Sequence, residues 1–443
     1  MVKKDKSHFN KKGGNNMSSN VLIIGSGGRE DAFAWKFAQS PRIGKLYVAP
    51  GNGGTRDIAE NIGIEATNVK DLARFAEKNS IDLTVVGSDD PLALGVVDVF
   101  QSRGLRIFGP TRAAAQIEAS KAFAKRLMRD NGIPTASFRI FRKYGNALEY
   151  VRKHGAPIVV KASGLALGKG AYPCKMLAEA EEALAEIMLK RIHKQAGNEV
   201  LVEEFLGGQE VSIHALCDGK TSILLPTAQD HKPIFDGEKG KNTGGMGTIA
   251  PVPWVTAQTL RDVNKQVVQP ILQALAKKGR PFTGCLYPGL KMTNEGPKVL
   301  EYNARFGDPE TQSYMRLLKT DLLDVLDACV DGKLAELTIE WNSGFAVCVV
   351  LASGGYPGKY KKKEIPIFGI SEAEKVSGVV IFHAGTMYSD QLRTSGGRVL
   401  GVTAVGETLQ GAVDQVYEAI RHIKFKGMQY RKDIGAKAIA MGF

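Results

Sequence analysis

Apolar and polar residues alternate between Val299 and Glu310. Leu300, Tyr302, Ala304 and Phe306 fall on one side of a predicted strand, and Glu301, Asn303 and Arg305 on the other. The first set suits a core. The second aligns a carboxylate, an amide oxygen and a guanidinium within two residues of one another. The Gly307-Asp308-Pro309 turn ends the strand, and a helix is predicted from about Glu310. The same pattern also fits a half-solvated strand with a surface Glu–Arg pair, and the rest of the chain has to separate the two readings.

Upstream, strands and helices alternate. Strands are predicted at Asn20–Ile24, Lys45–Val48, Leu83–Val86 and Arg106–Phe108, with helices from the first glycine turn to about Gln39 and over Val69–Asn79. That order implies a small, doubly wound parallel α/β sheet, with ligands beyond the carboxyl ends of its strands. Residues 111–132 read as one helix, with Lys121 on or beside its apolar face. A second region follows: a helix at Ala147–His154, a strand at Ile158–Lys161, and Glu199–Leu206 paired as a hairpin across Gly207-Gly208 with Glu210–Cys217. Thr227 to Pro253 reads as a long polar loop. Then come a helix at Ala257–Lys277 and strands at Thr283–Lys291 and Lys298–Asn303. A third region opens near Ser343 with a buried strand at Phe345–Leu351. It closes on an amphipathic helix marked by Leu409, Ala412, Val413, Val416, Ile420 and Ile423.

Composition changes this picture at the margins. The 443 residues suit about three domains. Residues 1–19 are Lys-, Asn- and Gly-rich and are predicted to be disordered. They carry five Lys and one Asp of a formal net charge of +13, which leaves the body basic at +9. A basic body suits anionic partners. No arginine stripe is interleaved with aromatics, so phosphorylated small molecules fit better than nucleic acid. The Lys359–Lys363 run reads as a solvated face. Five scattered cysteines form no Cys-x-x-Cys or Cys/His cluster, which points to a reducing compartment. No apolar run reaches membrane-spanning length, so a cytoplasmic protein without a membrane partner is expected.

Three glycine-bearing turns carry the candidate chemistry. Gly25-Ser26-Gly27-Gly28-Arg29-Glu30 joins a strand to a helix N-terminus, where free N–H groups can receive an anion. It is no dinucleotide fingerprint: Glu30 stands at the third glycine, and Ala49-Pro50-Gly51-Asn52 after the second strand offers no ribose-binding acid. A structural tight turn is the other reading. Ser163-Gly164-Leu165-Ala166-Leu167-Gly168-Lys169-Gly170 is no Walker A loop, yet it could close over phosphates as a flap, with Lys161 aimed at them; a hairpin with a surface lysine competes. Glu203-Glu204-Phe205-Leu206 reads as a sheet edge suited to an adenine ring, with Glu210 placed for ribose hydroxyls, or else as an acidic exposed hairpin. Glu301 and Asn303 are hard oxygen donors of the kind Mg²⁺ accepts, and Arg305 could hold charge on a transferring phosphoryl group. His231 has no recognisable metal partner and is read as a residue of a substrate loop.

In this order, Lys121, Lys161 with Gly164–Gly170, Glu203–Glu210 and Glu301-Tyr302-Asn303 resemble an ATP-grasp domain. Gly25–Glu30, Pro50–Thr55, Ile107–Pro110, Gln229–Lys232, Asn242–Gly247, Arg305–Glu310, Gly354–Gly358, His383–Thr386 and Tyr430–Gly435 narrow the resemblance to the glycinamide ribonucleotide synthetase family, over about residues 20–440. The resemblance implies an N-terminal substrate-binding α/β domain (20–119), an ATP-grasp domain of two α+β subdomains (120–335, with the flap-bearing part at about 135–206) and a C-terminal α+β domain (336–443). It implies ATP and Mg²⁺ (or Mn²⁺), with glycine and 5-phosphoribosylamine joined through glycyl phosphate in purine synthesis by a monomer or weak dimer. Arg305 and Lys161 would be catalytic. Lys121, Lys161, Gly164, Gly168, Lys169, Gly170, Glu203, Glu204, Phe205, Leu206 and Glu210 would bind ATP, and Glu301 and Asn303 the metal. Gly25, Gly27, Gly28, Arg29, Glu30, Gly51, Asn52, Asp230, His231, Lys232, Gly245, Met246, Gly247 and Asp308 would enclose the other substrates. Asp31, Ser88-Asp89-Asp90 and Ser163 depart from the family pattern. A related ATP-grasp carboxylase working through carboxyphosphate, and a nucleotide-binding module without catalysis, are the competing expectations.

Overall fold

In the computed structural model, residues 18–166, 169–358, 360 and 364–443 are described. Most of the N-terminal extension, Gly168 of the flap and most of the Lys359–Lys363 run therefore lie outside the described residues. Ser18 and Ser19, assigned to the extension by composition, are described, and Ser19 opens the first strand.

The first sheet holds β1 (Ser19–Gly25), β2 (Ile43–Pro50), β3 (Glu60–Asn61), β4 (Leu83–Val86) and β5 (Ile107–Phe108), all parallel in the order β3-β2-β1-β4-β5. Val21–Ile24 and Leu83–Val86 are buried on both faces because helices cover both sides. The predicted single helix over 111–132 is broken. One turn, Gln116–Ala119, is followed by an extended Ser120, whose side chain accepts the Phe123 N–H and caps a second helix, Lys121–Asp130.

A small antiparallel sheet of β6 (Phe138–Phe141), β7 (Ile158–Ala162), β8 (Ala171–Cys174) and β9 (Val200–Glu204) runs β6-β9-β7-β8. It has its own core of Val151, Ile158, Val160, Leu184, Ile187, Val200 and Val202. The predicted Glu199–Cys217 hairpin does not form. β9 is an inner strand between β6 and β7, while β10 (Gln209–Ser212) pairs with another sheet. Gly207-Gly208 is thus a crossing between sheets. Gly208 sits at φ +109, and a Cβ there would lie 1.9 Å from the Met292 carbonyl oxygen.

That other sheet adds β11 (Ala215–Asp218) and β12 (Ser222–Leu224). The Thr227–Pro253 stretch, predicted as loop, holds β13 (Gln229–Asp230), the hairpin β14 (Pro233–Phe235) and β15 (Lys239–Asn242), and β16 (Gly247–Ala250). The long β17 (Thr283–Thr293) then pairs with β10, with β11 and with β18 (Gly296–Asn303). The last sheet holds β19 (Phe345–Ala352), β20 (Val379–His383) and, beyond the hairpin of β21 (Thr386–Tyr388) and β22 (Leu392–Thr394), β23 (Arg398–Gly406). Its order, β13-β16-β19-β23-β20, shows that the misread loop supplies two of its five strands. Helix Leu409–His422 packs its predicted apolar face on this sheet. Three domains result: a parallel α/β sheet, a two-sheet middle and a C-terminal α+β layer. No helix among the described residues is long and apolar enough to cross a membrane.

Candidate active site

A cleft of about 380 Å³ opens where these domains meet. β18 forms one wall, and Glu301, Asn303 and Arg305 all line it as the alternation predicts; Tyr302, Ala304 and Phe306 are buried, Tyr302 at the edge of the cleft lining and the other two behind it. Leu300 is the exception. The β17–β18 register slips at Gly289/Leu290, and this bulge turns Leu300 to the cleft as well. Lys121, Lys169, Gly170, Asp230, Lys232 and Asp308 line the same cleft.

The wall is a lattice of charge. Burial pushes the Glu301 carboxyl up, but Lys232, Lys121, Lys161 and Arg305 outweigh it and hold it at about 2, so Glu301 is ionised at any working pH. Lys232 Nζ lies 3.9 Å from Glu301 and 3.3 Å from Glu210, and Lys291 lies 3.4 Å from Glu210 on its other side. Arg305 Nη2 lies 3.0 Å from Glu118 and donates to Asn303 Oδ1 at 3.3 Å. Glu301 and Asn303 thus present one carboxylate and one amide oxygen on the same strand face. Across the ladder Glu301 meets Gly289, which adds no ligand. The described residues hold no cluster of three His, Cys, Asp or Glu able to take a metal alone. Two hard oxygen donors fit a divalent cation of the Mg²⁺ type, whose remaining positions go to phosphates and water.

The flap joins β7 to β8. Lys121 opens its helix with its N–H on the Ser163 carbonyl and its Nζ 3.4 Å from the Gly164 carbonyl. Lys169 Nζ donates to the Pro357 carbonyl at 3.1 Å, over the Tyr356 ring. Lys161, expected to point at phosphates, instead donates to Glu203 Oε2 at 2.9 Å and to the Leu300 carbonyl at 3.1 Å. Lys125 also reaches Glu203 Oε2, at 3.0 Å. Burial raises the Glu203 carboxyl and these two lysines overcome it, so the acid stays low. The expected free edge at Glu203-Glu204 is a correction: both residues are laddered on β9, and Glu204 accepts from Ser137 at the surface. Only Phe205 and Leu206 lie past the pairing. Phe205 and Glu210 line a second cavity of about 1060 Å³, which shares Lys169, Asp230, Lys232 and Asn242 with the first.

The N-terminal loops depart further from expectation. Glu30 folds back so that its Oε2 accepts the Gly27 N–H at 2.6 Å, and its Oε1 pairs with Arg29. The predicted anion site therefore already holds an internal carboxylate, and a Cβ on Gly25 or Gly87 would strike it, at 2.5 and 1.9 Å. Gly28 lies against Gln312. Arg29 reaches the Phe306 carbonyl and the cleft. Asn52 is saturated: its Nδ2 donates to the carbonyls of Ser26, Gly27 and His383, and its Oδ1 accepts from Gly54 and Thr55. Gly51, at φ +77, packs on Asn61.

In the middle segment, Met246 is a core residue with Ile234, Ala352 and Tyr356, not a cleft residue. Gly247 pairs with Val349 in β16, where a Cβ would meet the Cys348 carbonyl. His231 is buried, with Nδ1 on the Gly247 carbonyl and Nε2 accepting from Gly435; burial and Arg431 push it down to about 4, so it is neutral. Gly245 lies against Asp230 and Pro309. Asp308 is held by Arg398 at 3.2 Å and by Gln312. The sequence reading missed Glu118, Lys125, Lys291 and Arg398. Glu118 and Lys291 stand as lone charges beside apolar neighbours, as Glu118 does after Ile117, whereas Lys125 and Arg398 lie in polar or basic surroundings that do not single them out.

Comparison with known proteins bears on the family and on the three-domain fold. The phosphoribosylglycinamide synthetase family matches with its N domain over residues 19–118, its ATP-grasp (A) domain over 119–311 and its C domain over 346–437. The phosphoribosylamine–glycine ligase of Pseudomonas aeruginosa is 48% identical over 95% of this chain and 98% of its own. That of Caldanaerobacter subterraneus subsp. tengcongensis is 46% identical over 94% and 99%. The crystal structure of the Thermotoga maritima phosphoribosylamine–glycine ligase superposes with a TM-score of 0.81 at 34% identity, covering 94% of this chain and all of that one. A 2-oxoglutarate carboxylase biotin carboxylase domain from Hydrogenobacter thermophilus shares only the fold, at 16% identity and a TM-score of 0.72. The chain belongs to the phosphoribosylglycinamide synthetase family.

Proposed function

We propose that this protein is a phosphoribosylamine–glycine ligase: ATP, glycine and 5-phosphoribosylamine give ADP, phosphate and glycinamide ribonucleotide. A glycine carboxylate oxygen attacks the γ-phosphorus, the bond to the bridging oxygen breaks, and ADP leaves. The amine nitrogen of phosphoribosylamine then attacks the acyl carbon of glycyl phosphate, phosphate departs and the nitrogen loses a proton. Such chemistry needs no protein nucleophile. It needs charge neutralisation, in-line placement and exclusion of water.

The observation that carries this reading is the convergence of Glu301, Asn303 and Arg305 with Lys121, Lys169 and Lys232 on one cleft. Glu301 and Asn303 would hold Mg²⁺ or Mn²⁺, which when bound neutralises phosphate charge. Lys121, Lys169 and the Gly164 and Gly170 backbone would surround the phosphates, and Arg305 would stabilise the transferring group. Lys161 reaches them only by exchanging Glu203. Phe205 and Leu206 would face adenine, and Glu210 the ribose. Asp230, Lys232, Gly245, Asp308 and Arg29 would face glycine and the ribosylamine. Glu30, Asn52, Met246 and Gly247 would support the walls from behind, and His231 would line the second cavity. We place the enzyme in the cytoplasm as a monomer or weak dimer, with domains at 20–119, 120–335 and 336–443.

The test is ADP release with each substrate omitted in turn. Full rate requires glycine and phosphoribosylamine together. Release supported by bicarbonate without glycine would transfer the protein to the carboxylase reading, and ATP binding without turnover in any mixture would leave a binding module.

A further inference from the structure

We propose that Glu118 is a positioning residue for phosphoryl transfer, fixing the Arg305 guanidinium and the backbone beneath it before substrate arrives; this rests on the role given above to Arg305. Glu118 is 8% exposed and sits three residues before Lys121. Its Oε2 accepts the Ala304 N–H at 2.8 Å, and its Oε1 lies 3.0 Å from Arg305 Nη2. One carboxylate thus grips two neighbouring residues, 186 and 187 positions away. It cannot rotate without releasing both.

The other holds on Arg305 are longer. Nη1 donates to the Phe306 carbonyl at 3.2 Å and Nη2 to Asn303 Oδ1 at 3.3 Å. Nε makes no hydrogen bond to the protein among the described residues and is left for a ligand. Asn303 Oδ1 is also the amide oxygen offered to the cation. Without Glu118, the guanidinium would settle on that oxygen and compete for it. A buried ion pair adds little net stability over an apolar replacement. Orientation of Arg305 accounts better for a carboxylate at this point.

The experiment is a double-mutant cycle of Glu118→Gln and Arg305→Lys, with kcat, KM for ATP and melting temperature measured for each variant. Glu118→Gln keeps an acceptor for Ala304 and loses the charge. We expect kcat to fall by about ten- to a hundredfold with KM for ATP within about threefold. In the Arg305→Lys background the same change should cost less than about threefold. Unchanged kcat, independent multiplying losses, or parallel falls in kcat, ATP affinity and melting temperature each overturn the inference. If Arg305→Lys alone leaves kcat intact, the role of Arg305 falls and this inference with it. If Arg305→Lys is impaired and Glu118→Gln is not, only this inference falls. Should Glu118→Gln not fold, Glu118→Asp keeps the charge with a shorter reach; lowered kcat at unchanged affinity for a fluorescent ATP analogue supports the role, and unchanged kcat overturns it.

Discussion

Two polar segments look alike in sequence. The Gly25–Glu30 turn ends the buried strand β1, the Glu301–Arg305 segment ends the half-buried strand β18, and each offers groups suited to phosphate chemistry. The structure treats them differently. At Gly25–Glu30 the Gly27 N–H is spent on Glu30, and neighbouring Asn52 spends its whole amide on five backbone groups. At Glu301–Arg305 the carboxylate stays 30% exposed and meets Lys232 only at 3.9 Å. A motif becomes a site when an acceptor such as the Glu301 carboxylate remains unspent and its charges are balanced across open space. A motif whose groups close on one another is scaffold. This contrast separates cleft from frame better than glycine content or strand-end position does.

Substitution can break or sharpen the contrast. The largest expected effect is at Glu301. Glu301→Ala should lower ADP release by more than about a thousandfold, because charge stabilisation at the phosphates is lost, while the melting temperature barely moves. Near-normal turnover would return β18 to the half-solvated strand reading. The next effect is a crossover between two asparagines. Asn52→Ala should destabilise the fold by about 2–4 kcal/mol in urea unfolding, since five buried or part-buried backbone groups lose partners, yet leave kcat per folded molecule within about threefold. Asn303→Ala should do the reverse, costing little stability and most of the Mg²⁺-dependent rate. If Asn52→Ala abolished turnover in fully folded protein, the saturated loop would have to be counted as part of the site.

Much of the frame was legible, and the failures share a cause. Leu83–Val86 and Leu409–His422 emerged with correct bounds or nearly so because local periodicity determines them. The polar side of β18 emerged for the same reason. What failed depended on distant partners. Leu300 turned to the cleft because it is the extra residue of a bulge in β18, set by its pairing with β17, and this reset the alternation. β13 and β16 went unseen because β16 pairs with β19, about a hundred residues on. The hairpin across Gly207-Gly208 was predicted from adjacency, which cannot show that β9 is filled on both sides by β6 and β7. Glu118 carried no local signal beyond a lone charge after Ile117, because both of its partners lie 186 and 187 residues further along.

The smallest expected effect concerns Asp31, at the seam between the first and last domains. Its Oδ2 accepts the His383 N–H at 2.7 Å, while its buried Oδ1 has no partner among the described residues. Burial pushes its carboxyl up to about 7, against the lowering effect of that hydrogen bond. An unfolded Asp titrates near 4. Between about pH 4 and 7 the folded chain therefore holds a proton that the unfolded chain has released. Stability contributed by this site is full below about pH 4 and is lost as pH rises toward 7. Asp31→Asn keeps an acceptor for His383 and cannot ionise. Urea unfolding of the two proteins should differ little at pH 4, and the variant should gain on the wild type as pH rises, levelling off above about pH 7 at a few kcal/mol or less. A constant difference across that range would mean that Asp31 stays ionised in the fold, and that the seam is held by charge rather than by a neutral hydrogen bond. Turnover per folded molecule should follow neither curve, because Asp31 belongs with Asn52 to the frame and not to the cleft.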